Sequence, residues 1–314
     1  METKYTGPKI LLLIVLLLTA CSPTPSESVT VRETEISEGP AAGEVKIAAE
    51  NTAEPVASGM EATIPMTEVT MLHSSMVGRD YRINVALPLN YSKNTSKTYP
   101  VVYLLDGDLL FGALTGPTRL LQAVNELPEL IIVGIGYGMP WDDTGEVKRL
   151  RELDYTPNAS PDGGAEQFLK FIQDDLLPYI DANYRTDPMD RTIGGVSYGG
   201  LFPLYVLFSA PETFNRYIAV SPALWWGDRM IFACEQEYAD EHSDLPVILF
   251  LAVGGLEEKQ YPTSGMVSNL VEFHRRLEDR NYSGLEMEMM IFEGETHHSV
   301  FPGAISRGLR SVFR

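Results

Sequence analysis

Ser197 stands at the centre of Gly195-Val196-Ser197-Tyr198-Gly199, between the β-rich run Arg191–Val196 and the apolar, helix-like run Leu201–Phe208. A serine at the apex of a strand–turn–helix unit, flanked by small residues, fits a nucleophile elbow. Such a turn holds the serine in a strained backbone conformation, and a bulkier flank would clash with the adjoining strand and helix. An unassisted hydroxyl is a poor nucleophile at neutral pH, so a base must lie within hydrogen-bond reach. Of the five histidines, His73 falls in an early strand run, His242 in a polar connection and His274 in a helical stretch. His297 and His298 instead follow the last strand-like run, in Gly294-Glu295-Thr296-His297-His298-Ser299, which is the place for the base.

The base needs an acid to hold its tautomer and to stabilise the imidazolium. The expected place is the loop after the apolar run Pro246–Val253, which reads Gly254-Gly255-Leu256-Glu257-Glu258. Glu257 is the first candidate and Glu258 the alternative; the one not used is an exposed charge near a helix start, where a carboxylate suits the dipole. An oxyanion hole needs two donors. The N–H of Tyr198 supplies one, and the N–H of Asp108, in Asp106-Gly107-Asp108 after the run Tyr99–Leu105, is the candidate for the other. Asp106 and Asp108 lack further clustered ligands, so no metal site is expected. No P-loop lysine, dinucleotide fingerprint or zinc spacing occurs, and the chemistry reads as cofactor-free.

These residues need a scaffold that brings them to one edge. Thr67–His73 and Arg79–Leu87 alternate as an antiparallel strand pair, and Tyr99–Leu105, Leu130–Ile135, Arg191–Val196, Arg216–Val220, Pro246–Val253 and Leu285–Phe292 read as further strands. Helices are expected around Leu120–Glu126, over Ala165–Ala182 with Pro178 near its end, and over Leu201–Phe208, Ser264–Arg280 and Ala304–Phe313. Gly136–Gly164 reads as one long loop. Alternation of strand and helix implies α/β architecture, a doubly wound and mostly parallel sheet in a single domain. Ligands of such sheets bind outside the carboxyl ends of the strands, where the candidate residues all fall.

The chain has 314 residues and a net charge of −19. Lys4 and Lys9 precede an apolar run, Ile10–Leu18, too short to span a bilayer and fitting a signal peptide over residues 1–20. Leu18-Thr19-Ala20-Cys21 resembles a lipobox, which would make Cys21 a lipid anchor in the bacterial cell envelope, outside the cytoplasm. Cys234 would then have no partner for an internal disulfide. Residues 21–65 are rich in Ser, Thr, Pro, Glu and Ala and read as a flexible tether, leaving 66–314 as the catalytic domain. The acidity, which is not confined to the tether, argues against nucleic acid as a ligand.

From about Met66 onward the chain resembles the esterase D-like esterases of the α/β-hydrolase fold, a group that includes enterobactin-type siderophore esterases, some feruloyl and acetyl-sugar esterases, and mycolyltransferases. The resemblance rests on Tyr103-Leu104-Leu105-Asp106-Gly107, Asp154-Tyr155-Thr156-Pro157, Gly195–Leu201, Ser221-Pro222-Ala223-Leu224-Trp225-Trp226 and the histidine loop. It implies that His297, rather than His298, is the base. It further implies a serine ester hydrolase acting through an acyl-enzyme on small-molecule or saccharide esters. An acyltransferase with the same triad, or a catalytically silent binding lipoprotein, is the alternative. Trp226, Arg151 and Tyr155 are candidate substrate contacts, with core packing or a structural ion pair as their plainer roles.

Overall fold

The runs at residues 99–104, 131–136, 216–220 and 248–254 are apolar almost throughout, as strands covered on both faces must be. In the computed structural model, which describes residues 63–141, 145–157 and 164–314, they belong to one eight-stranded sheet. Along the chain the strands are β1 (Thr67–Ser74), β2 (Arg79–Ala86), β3 (Tyr99–Leu104), β4 (Ile131–Gly136), β5 (Thr186–Val196), β6 (Arg216–Val220), β7 (Ile248–Gly254) and β8 (Glu286–Phe292). Across the sheet the order is β1-β2-β4-β3-β5-β6-β7-β8. β2 is antiparallel to both neighbours, and every pairing from β4 to β8 is parallel.

The helices are α1 (Gly107–Ala123), α2 (Glu146–Tyr155), α3 (Ala165–Lys170), α4 (Leu177–Asn183), α5 (Tyr198–Ser209), α6 (Trp226–Glu241), α7 (Glu257–Gln260), α8 (Met266–Arg280) and α9 (Val300–Val312). Strand side chains alternate between two cores. Val102, Leu104, Ile218 and Phe250 pack with α1 and α9, while Val101, Tyr103, Tyr217 and Leu249 pack with α5, α6 and α8. This is the doubly wound α/β sheet that the strand–helix alternation implies. Among the described residues no helix is long and apolar enough to cross a membrane. The expected signal segment 1–20, Cys21 and the tether up to residue 62 lie outside the described residues.

The structure corrects several boundaries. Gly136–Gly164, expected as a loop, contains α2, whose buried face is Val147, Leu150, Arg151, Asp154 and Tyr155. The spacing is helical, but two of the five buried side chains are charged, so no apolar stripe marks it. The helix expected at Leu120–Glu126 instead begins at Gly107, directly after β3. The helix expected at Ala165–Ala182 is interrupted by a π-helical segment, Phe171–Leu176. Pro178 follows that segment; it has no N–H to donate to Asp174, and its ring crowds that carbonyl, so the widened turn lies where an α-helical bond could not form. α6 was not foreseen. It buries Ile231, Phe232 and Tyr238 together with Glu235, which Arg276, Arg280 and Tyr282 hold from α8 and its exit.

Candidate active site

β5 ends at Val196 and α5 begins at Tyr198, so Ser197 alone makes the turn, at φ 62° and ψ −121°. A side chain rarely adopts that region unless its surroundings enforce it. The glycines explain how the turn closes. A Cβ on Gly195 would stand 2.2 Å from the Gly199 carbonyl oxygen, and one on Gly200 would stand 2.8 Å from the Val220 carbonyl. The Ser197 N–H donates to Val220 O, and its carbonyl accepts from Gly200, Leu201 and Ala223, which ties the elbow to the end of β6.

The other candidates stand along the same edge in the order of the strands. Asp108 is in the first turn of α1, after β3, and Tyr198 is the first residue of α5, after β5. First-turn N–H groups have no intrahelical acceptor and lie at the positive end of the helix dipole, so both are suited to bind an anion. The Asp108 carboxylate turns away to accept the N–H groups of Tyr137 and Gly138 at 2.6 and 2.8 Å.

Glu257 opens α7 after β7, and His297 lies in the turn after β8. The two loops are joined by backbone bonds from Gly255 to Phe292 and from Leu256 to Glu295. Glu257 is fully buried, and its Oε2 lies 2.7 Å from His297 Nδ1. Its other oxygen, Oε1, accepts the Gly254 N–H at 2.7 Å and the Ser221 hydroxyl at 2.5 Å. A carboxylate only accepts, so Nδ1 of His297 carries the hydrogen in this contact and Nε2 is left as the basic nitrogen. Glu258, the alternative acid, points elsewhere: it caps α8 by accepting the N–H groups of Val267 and Ser268 and the Ser268 hydroxyl. Partial burial pushes its pKa up, but those three bonds outweigh it and hold the carboxyl below the ordinary glutamate value.

Ser197, Tyr198, His297 and His298 share the lining of one cavity of about 280 Å³. Trp141, Trp225 and Tyr261 supply aromatic wall, and Lys148 and Arg151 supply cations; no carboxylate lines it among the described residues. Three sequence-based candidates are revised here. Trp225 faces the cavity, whereas Trp226 packs against the core. Tyr155 is 1% exposed, with its hydroxyl 3.4 Å from the Asp106 N–H, and does not line the cavity. Arg151 does line it, but it is buried and pairs bidentately with Asp106.

Ser221 was missed as a member of the site. The signal was its place at the end of a buried strand beside the elbow, but nothing in the sequence joins it to an acid 36 residues on. Trp141 and Lys148 were also missed, because the segment that carries them read as loop.

The family model described as "Putative esterase" matches residues 74–310. The ferri-bacillibactin esterase BesA of Bacillus subtilis (strain 168) is 37% identical over 268 residues, 79% of this chain and 90% of that protein. The crystal structure of BES protein from Bacillus cereus matches with a TM-score of 0.70 at 28% identity, covering 83% of this chain and all of that one (100%). The enterobactin hydrolase IroE, in complex with the serine hydrolase inhibitor DFP, matches with a TM-score of 0.59 at 25% identity, covering 78% of this chain and 94% of the other.

Proposed function

The chain belongs to this esterase family and is a serine carboxylic-ester hydrolase, and from that membership we propose that Ser197, His297 and Glu257 are its triad. The reading as a catalytically silent binder is thereby set aside. Ser197 Oγ attacks the ester carbonyl carbon while His297 Nε2 takes the hydroxyl proton. The N–H groups of Tyr198 and Asp108 bind the oxyanion that forms. Collapse of the tetrahedral intermediate expels the alcohol, which leaves with the proton from His297. Water then attacks the acyl-enzyme with His297 again as base, and Ser197 is regenerated. The observation that carries this reading is the 2.7 Å contact from Glu257 to His297 Nδ1.

The substrate in this proposal is a siderophore-type ester, a cyclic lactone that carries aromatic acyl arms. The relatives named above support it, and so does the character of the cavity. A strongly acidic chain would repel an anionic catecholate, yet the described lining is aromatic, presents Lys148 and holds no carboxylate, Arg151 being neutralised by Asp106. About 280 Å³ is small for a ligand pocket, so one arm enters and the rest of the molecule stays at the mouth. The proposal also places the enzyme in the cell envelope, held by a lipid on Cys21; the pattern at Leu18–Cys21 supports this, and release of a Cys21→Ala variant from membranes tests it.

A fluorophosphonate should label the folded enzyme, and the label should vanish in Ser197→Ala. No label on correctly folded wild type would sink the triad. Turnover of ferric and metal-free tricatecholate trilactones is then compared with that of acetyl- and feruloyl-sugar esters. Higher kcat/KM on the sugar esters would overturn the substrate assignment.

A further inference from the structure

Two backbone turns frame the proposed oxyanion hole, and one guanidinium touches both. Arg151 donates from Nε to Asp106 Oδ1 at 2.7 Å and from Nη2 to Asp106 Oδ2 at 2.9 Å. Nη2 also lies 3.3 Å from the carbonyl oxygen of Val196. Asp106 is the left-handed residue, φ 56°, that turns β3 into α1, and its own carbonyl accepts the Leu109 and Leu110 N–H groups. Fixing its carboxylate therefore fixes the turn that aims the Asp108 N–H. Val196 is the residue before Ser197, so holding its carbonyl fixes the peptide that enters the elbow and, beyond it, the N–H of Tyr198.

We propose that Arg151 is a positioning residue, a brace that sets the two oxyanion donors against each other. The inference rests on the triad and oxyanion reading above. A plain structural ion pair would explain the bidentate contact to Asp106, but such a pair often contributes little against the cost of burying it. The third bond, to the carbonyl that precedes the nucleophile, is what a structural pair does not need. A direct substrate contact fits less well, because Nε and Nη2 are committed and the side chains of Arg151 and Asp106 are only 4% and 1% exposed. The Trp141 ring covers the guanidinium at 4.8 Å, and the Tyr198 ring lies at 5.8 Å. Lysine could keep the charge but could not fork between a carboxylate and a carbonyl.

Arg151→Lys and Asp106→Asn are compared with wild type on p-nitrophenyl acetate, a neutral ester, and on an anionic aryl ester. Both variants should lose kcat about 100-fold on both substrates, the loss expected for a misplaced oxyanion donor, with KM changed less than about threefold. The pH midpoint of kcat/KM should hold, because His297 and Glu257 are untouched. A variant with wild-type kcat and only a lower thermal midpoint would make the pair structural. A raised KM confined to the anionic ester would make Arg151 a substrate contact; either result overturns the brace. Asp106→Asn keeps the shape of the side chain and carries the same expectation if the lysine variant does not fold. Ser197→Ala separates the two readings. If it stays active the triad fails; if it is dead while Arg151→Lys and Asp106→Asn keep wild-type kcat, only the brace fails.

Discussion

Glu257 Oε2 stands 2.7 Å from His297 Nδ1, and the other oxygen of the same carboxylate is held by the Ser221 hydroxyl and the Gly254 N–H. Three strand ends thus meet on one buried carboxyl group: β6 through Ser221, β7 through Gly254, and the turn after β8 through His297. With Oε1 occupied by two donors, the carboxylate is locked in rotation, and Oε2 has one direction in which to accept. The imidazole is thereby oriented before any substrate arrives, which is the preorganisation the proposed base would need.

Glu257→Gln should therefore be the severe change of the two neighbouring glutamates. The amide keeps the shape but no longer stabilises an imidazolium and can favour the wrong tautomer, so kcat should fall by about 100- to 10,000-fold. Glu258→Gln should leave kcat within about twofold and weaken the cap of α8 by roughly 1 kcal/mol. Steady-state ester hydrolysis with urea denaturation of each variant checks both halves. A larger kcat loss in Glu258→Gln would reverse the assignment.

Ser221→Ala tests whether the support of the acid matters as much as the acid. A hydrogen bond to a charged group contributes about 1.5–3 kcal/mol. If about 1.4 kcal/mol of that is felt in the transition state, kcat drops tenfold. Ser221 and Glu257 are fully buried, so bulk water cannot replace the lost donor, and Oε1 keeps only the Gly254 N–H. Unchanged kcat in a variant of unchanged thermal stability would show that Gly254 alone suffices to hold Glu257.

How far the sequence could be read follows from where charges are buried. The apolar runs that became β3, β4, β6 and β7 need no partner to be recognised, and the elbow is a local backbone device whose residues are consecutive. The sites of error share a different character. α2 and α6 hide their buried faces behind Arg151, Asp154 and Glu235, and each is buried against groups that lie far along the chain: Asp106, Tyr81 and Arg276. A hydrophobic pattern cannot register a buried charge whose partner is 41 to 73 residues away. The exchange of Trp225 for Trp226 has a backbone cause. Gly227, Asp228 and Arg229 are all left-handed, with φ of 57°, 57° and 65°, so the register of α6 cannot be extrapolated back to the indoles. The places of Ser197, Glu257 and His297 relative to strand ends were legible, and the structure brings Glu257 against His297. The bonds from Ser221 to Glu257 and from Arg151 to Asp106 and Val196 were not, since each joins segments far apart in the chain.

Gly195→Ala should abolish activity by breaking the elbow rather than the chemistry. The added methyl would meet the Gly199 carbonyl oxygen at 2.2 Å and its carbonyl carbon at 2.7 Å, backbone atoms that cannot swing aside. Either β5 and α5 separate or the turn at Ser197 changes, and a cost of about 3 kcal/mol or more is expected for such overpacking and strain. Soluble yield and thermal midpoint should both fall, and the remaining folded fraction should resist fluorophosphonate labelling. A stable, labelled variant would mean that the turn has more slack than these distances allow.

Stability should depend on pH through Asp154, whose carboxyl group is pushed up from 3.8 to about 6, chiefly by burial, with Arg79 and the Tyr81 hydroxyl opposing. Arg79 approaches it at 3.2 Å and Tyr81 donates to it at 2.8 Å, yet the loss of water outweighs both. For an acid whose folded value is raised, the folded state binds the proton more tightly than the unfolded state. Its favourable contribution is complete below the unfolded value and disappears as pH rises through the folded one. Between pH 3.8 and 6 the folded domain should therefore lose stability from this group as pH rises, by roughly 3 kcal/mol across the window at about 1.4 kcal/mol per pH unit. Asp154→Asn has no such proton to lose. Urea denaturation of both proteins at pH 4, 5, 6 and 7 isolates the effect as the difference between them, because other titrating groups are common to both. That difference should move against wild type as pH rises and flatten above pH 7; two parallel curves would mean that Asp154 ionises as readily when folded as when unfolded.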